Sequence, residues 1–170
     1  MDNIILLKKT KELEDLCRSL GFEDTLFLDD VKVIEAKTNK DLLKKYSQFT
    51  IVKPATEDLL RFALEKSKVN LVYGMESIHP KDSVHYVRGG LDQITCKIAA
   101  EKGKIIGFSF SDILNTKNSA KLLGRMRANL KLCKKYGVKV LFGNFSLHKE
   151  DIRSKKDLVA FLRTLKKHKK

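Results

Sequence analysis

Three polar residues in one short stretch, His79, Asp82 and His85, are of the types that shuttle protons or ligate a divalent ion, and they lie within MESIHPKDSVHYVRGG (75–90) among Pro80 and paired glycines. A loop that merely faces water satisfies the same pattern. The fingerprints that would raise it to an active site are missing: there is no G-x-G-x-x-G, no Walker loop, no G-x-S-x-G and no H-E-x-x-H. The first apolar run, NIILL (3–7), has none of the H-x-H ligands with which some metal-dependent phosphoesterase barrels begin. Cys17, Cys96 and Cys133 each fall in an apolar helical pattern, which suits core thiols, and His148 and His168 show no zinc spacing. No catalytic or metal-ligating set is assigned. A metal-dependent phosphoesterase using the 79–85 loop is the rival reading.

The cations say more. With 35 Lys+Arg against 21 Asp+Glu the net charge is +14 and the pI about 9.7, so a polyanion is the expected partner: nucleic acid, an anionic membrane or an acidic protein. No stretch approaches the ~18 apolar residues of a membrane span. The N-terminal apolar run is followed by lysines, the reverse of a signal peptide, and a cytoplasmic protein is expected. Over 118–136, at about 100° per residue, Leu122, Leu123, Met126, Leu130 and Cys133 share one arc. Lys117, Lys121, Arg125, Arg127, Lys131, Lys134 and Lys135 spread over the opposite half, with no Asp or Glu between Lys117 and Lys135. Helices that only solubilise interleave acids for i,i+4 pairs worth ~0.2–0.5 kcal/mol each. A ridge of one sign accepts repulsion that bound phosphate would relieve, and arginine adds fork-shaped donors to the lysines' point charges. A second group, Arg153, Lys155 and Lys156, opens the last helix, where cations oppose the helix dipole by a few tenths to ~1 kcal/mol. Most of the nine Phe lie in strand runs, and Tyr46, Tyr86 and Tyr136 are the aromatics left over.

These residues need a frame. Short β-rich runs alternate with amphipathic helices almost from end to end, which implies parallel strands joined by helical crossovers. NIILL (3–7), TLFL (25–28), VKVIEA (31–36), FTIV (49–52), NLVYG (70–74), IIGFSF (105–110) and KVLFGNF (139–145) read as strands. Thr10, Asn39, Thr56, Leu91, Asn118 and Ser154 open helices, Gly21 and Gly137 stop two of them, and SDIL (111–114) reads as a brief turn. The last helix turns Leu158, Val159, Leu162 and Leu165 inward, and the lysine-rich helix from Asn39 runs to Tyr46. The expectation is an α/β, TIM-barrel-like fold, incomplete, with about six to seven mostly parallel strands. A single domain spans 1–165, followed by a basic tail, 166–170.

The succession RGGLDQITCKIAAEKG (88–103), IGFSFSDIL (106–114), LLGRMRANLKLCKKYGV (122–138) and IRSKKDLVAFL (152–162) resembles the archaeal and eukaryotic ribonuclease P protein component 3 family, in this order and spacing. The resemblance covers roughly half of the chain. It implies a barrel-like fold, membership in the ribonucleoprotein that removes the 5′ leader of precursor tRNA, and an RNA that performs the catalysis with Mg²⁺, the protein binding no cofactor. It further implies contact with the catalytic RNA and precursor tRNA, and with other protein subunits, notably protein component 2, but no membrane. The family's basic positions match Arg61, Arg88, Lys102, Arg125, Arg127 and Arg153, extended here to Lys131 and Lys155 as RNA-binding residues. Asp92 is expected to cap its helix rather than orient Arg88. Family members continue past the point where the last helix ends here, so an unclosed barrel is expected.

Overall fold

The computed structural model describes residues 1–167. Five strands form one parallel sheet in the order β3 (Val31–Ala36), β4 (Phe49–Pro54), β5 (Leu71–Tyr73), β6 (Ile105–Ser109) and β7 (Lys139–Gly143). Two short strands, β1 (Asn3–Ile4) and β2 (Thr25–Leu26), pair in parallel with each other. The segment after β7 meets β1: the Phe145 N–H donates to the Ile4 carbonyl at 2.8 Å and the Leu6 N–H to that of Ser146 at 2.9 Å. Around the curve the order is therefore β2-β1-β7-β6-β5-β4-β3, with no ladder between β2 and β3. Those two strands are joined by residues 27–30 without a helix, a turn in which the Asp30 carboxylate accepts the Phe27 N–H at 3.0 Å. The fold is TIM-barrel-like and open at that seam.

Period-two alternation sorts the strand residues between two cores. Ile4, Leu6, Val31, Ile51, Leu71, Tyr73, Leu141 and Phe145 fill the inside of the curve. Phe145 stacks on Tyr73 at 4.9 Å. Val52, Val72, Ile106, Phe108 and Phe142 face outward onto the helices. These are α1 (Lys11–Ser19), α2 (Asn39–Leu43), α3 (Glu57–Lys66), α4 (Gln93–Glu101), α5 (Phe110–Asn115), α6 (Ser119–Tyr136) and α7 (Lys155–Lys166). Thr10, Thr56, Asp92, Asn118 and Ser154 cap α1, α3, α4, α6 and α7, each side chain accepting the backbone N–H three residues on. The expected capping role of Asp92 is thus met.

Several expected boundaries shift. The ladders of β1 and β2 are shorter than NIILL and TLFL, since those runs pair only where a neighbour reaches them. Helix α2 stops at Leu43 because Lys44 is extended. SDIL is not a turn but part of α5, nucleated by Ser109, whose Oγ accepts the Asp112 N–H at 3.0 Å. In α7, Leu158 and Leu165 are buried whereas Val159 is exposed. All three thiols are free and buried. Of the basic tail, residues 168–170 lie outside the described residues.

Candidate nucleic-acid interface

Helix α6 is held on its inner side by Leu122, Met126, Leu130 and Cys133 and packs against α4 and α7. On its outer side Arg127, Lys131, Lys134 and Lys135 are exposed, without a carboxylate partner among the described residues. Arg127, Lys131 and Lys134, joined by Lys166 of α7, wall a groove of about 330 Å³ whose floor is Leu130, Val138, Val140 and Leu165. The ridge is fixed in place by a core, so its charges arrive pre-arranged instead of being gathered on binding.

Arg125 does not belong to that ridge. The expectation placed it on the exposed half, but it is 2% exposed and turned toward the loop that follows β5. Its Nε donates to Asp82 Oδ1 at 2.8 Å and its Nη2 lies 2.7 Å from the same oxygen. Its Nη1 donates to the carbonyls of Glu76 and His79, both at 2.6 Å. One turn on, Asn129 Nδ2 donates to Glu76 Oε1 at 2.9 Å and to the Gly89 carbonyl at 2.7 Å. The R-x-R-x-N spacing therefore splits between two jobs: Arg127 faces out, while Arg125 and Asn129 fasten loop 75–90. Both glycines of that loop are required by close approach: a Cβ at Gly89 would sit 2.3 Å from Asn129 Oδ1, and one at Gly90 2.5 Å from the Met75 carbonyl.

Burial pushes the Glu76 carboxyl up to about 7, against the opposing donation from Asn129. Asp82 moves the other way, held below the usual carboxylate range by the Arg88 N–H and by Arg125.

The remaining expected contacts fall in different settings. Arg88, in the loop at the carboxyl end of β5, and Lys102, at the far end of α4, are exposed. Arg61 is exposed on α3, with Nε 3.7 Å from Glu65. Arg153 is half-buried, its Nη1 donating to the Glu150 carbonyl at 2.7 Å, and its backbone is clamped by Asn144. Lys155 pairs with Asp2 at 2.7 Å, which raises the lysine's pKa. Of the helix-opening cluster, Lys155 thus ties α7 to the N-terminal segment, the Arg153 side chain is taken by local carbonyls, and Lys156 stays exposed.

The loop residues of the rival reading are not assembled. His79 Nε2 lies 2.6 Å from Glu57, Asp82 is taken by Arg125, and His85 is exposed. Among the described residues no group of three His, Cys, Asp or Glu side chains is placed to hold a metal ion, and no helix is long and apolar enough to cross a membrane.

The burial of Arg125 and Asn129 had one legible signal. At about 100° per residue Asn129 points only some 20° beyond Leu122, at the edge of the apolar arc, where a polar residue needs a buried partner.

No family model matches the chain. Ribonuclease P protein component 3 of Methanosarcina mazei is 31% identical over 113 residues, 65% of this chain and 44% of that protein. Its namesake in Methanocaldococcus jannaschii is 29% identical over 140 residues, 79% of this chain and 57% of that protein. The chain thus spans about half the length of the curated relatives it matches. A chain in the cryo-EM structure of archaeal ribonuclease P with mature tRNA superposes with a TM-score of 0.70 at 22% identity, over 98% of this chain and 83% of that one, and shares its fold.

Proposed function

From these similarities we propose that this chain belongs with the ribonuclease P protein component 3 family and is an RNA-binding subunit of ribonuclease P. In this reading it supports removal of the 5′ leader from precursor tRNA while the RNA carries the catalysis. The observation that carries it is the outer side of α6, where Arg127, Lys131, Lys134 and Lys135 stand exposed with no acid paired to them among the described residues. Phosphates brought close in a folded RNA repel one another, and a fixed row of cations offsets that repulsion. The Mg²⁺ of the reaction belongs to the RNA, and the protein lowers the amount required. Arg88, Lys102 and Arg61 extend the surface, Arg153 and Lys155 contribute at its margin, and Arg125 acts as a positioning residue behind it. A second protein subunit, component 2, and a cytoplasmic location go with the same reading.

The test is reconstitution. A ribonuclease P holoenzyme assembled without this chain should cleave precursor tRNA only at raised Mg²⁺, and adding the chain should restore cleavage at low Mg²⁺. The chain alone should leave the 5′ leader intact. Cleavage by RNA-free protein, or no shift in the Mg²⁺ requirement, contradicts the proposal.

A further inference from the structure

The loop after β5 keeps three apolar side chains in water: Val84 is 96% exposed, Tyr86 60% and Val87 49%. Its tip is held in shape. The Asp82 carboxylate, gripped from below by Arg125, also accepts the Arg88 N–H at 3.0 Å, so one carboxylate ties together both ends of the five-residue tip 83–87. Across the tip the Ser83 N–H donates to the Tyr86 carbonyl at 3.1 Å. The Arg88 guanidinium lies 5.8 Å from the centroid of the Tyr86 ring. Beside it stand Lys81 and His85, both exposed, and Lys121, which donates to the Pro80 carbonyl. The carboxylate at the base of the tip, Asp82, is already paired with Arg125.

The fold thus buries a guanidinium and an amide to display a small aromatic and aliphatic tip among cations. That tip is too small for a stable protein interface, which needs roughly 800 Å² per partner. Its single aromatic ring, Tyr86, offers a face for one nucleobase. Every base has a π face, so a single ring can stack any of them, and neighbouring cations take the adjoining phosphates.

We propose that Tyr86, backed by Arg88 and flanked by Val84 and Val87, is a stacking site for one unpaired RNA base. The inference rests on the RNA-binding reading and adds to it an interaction that is not electrostatic. It is tested by filter binding of the full chain to a transcript of an archaeal ribonuclease P RNA at several salt concentrations. Tyr86→Ala should weaken binding roughly ten-fold or more, the scale of removing one base stack, with the salt slope unchanged because no charge is removed. Tyr86→Phe should bind within about two-fold of the parent, the ring being what stacks. Tyr86→Leu keeps apolar bulk without a π face and should behave like Tyr86→Ala; parent-like binding by Tyr86→Leu overturns the stacking role even where the alanine variant folds poorly. If the parent binds RNA, Arg127→Ala weakens it and Tyr86→Ala does not, the stacking site is refuted and the RNA-binding reading survives. If Tyr86→Ala releases another protein subunit while RNA affinity holds, the tip belongs to a protein and the proposal is overturned. A parent chain that binds no RNA removes both.

Discussion

Arg125 is the residue whose role changed most between sequence and structure. Its charge suggested a surface contact, yet its donors go to Asp82 and to two loop carbonyls. The partners lie more than forty residues away in sequence, which is why helical periodicity alone did not assign them. Asn129 carried a clearer hint, because its direction falls at the edge of the apolar arc. Arg125→Ala should cost about 3 kcal/mol, the lower end of what breaking a buried ion pair costs, since Asp82 keeps some solvent. Limited proteolysis should then cut within 78–90 faster than in the parent. Arg125→Lys should recover little, because one ammonium cannot reach the carboxylate and both carbonyls in a fixed fork. Glu76 sets a pH dependence at the same place, facing Arg125 and, more remotely, Asp112. Its carboxyl ionises near 4.5 when unfolded and near 7 when folded. Between those values the folded chain keeps a proton that the unfolded chain releases, so stability falls as pH rises from about 4.5 to about 7 and levels off above, by on the order of 3 kcal/mol. Urea unfolding at pH 5 and pH 8 checks this: Glu76→Gln should narrow the difference and be the more stable form at pH 8.

At the level of elements, most of the fold was legible. Thr10, Thr56, Asn118 and Ser154 mark helix starts by the same chemistry that the structure uses, and the strands alternate as their sequences do. What was not legible depended on distant partners. SDIL is too short to show a helical period, and its helix forms because Ser109 caps it and Asn115 reaches Ser111 and Asp151. Likewise NIILL shortens to β1 because only part of it meets β2. Gly107 in β6 is a position where the inner core decides the residue. A Cβ there would lie 2.8 Å from Leu71 Cδ2 and 2.9 Å from Phe145 Cζ. Gly107→Ala should therefore overpack the barrel interior and cost about 1–3 kcal/mol, read as a lowered Tm, with the RNA-binding salt slope unaffected because the α6 surface is untouched.

For the whole molecule, the open barrel divides its labour. The helix layer packs α6 against α4 and α7, the seam between β2 and β3 leaves the curve unclosed, and the +14 net charge is displayed on that frame. Charge and the single-sign helix were readable from sequence, whereas the sharing of basic residues between surface and interior was not. Arg125, Arg153 and Lys155 are partly or wholly occupied inside the protein; Arg88, Lys102, Arg127 and Lys131 are exposed. The most direct measurement is the salt dependence of binding to a ribonuclease P RNA transcript, with Arg127, Lys131 and Lys134 replaced together by alanine. The log–log slope should become shallower by roughly 0.7–0.9 for each phosphate no longer neutralised, about two units in all, with weaker affinity at low salt. A triple variant that binds as tightly as the parent with the same slope would contradict the assignment of α6 to the RNA.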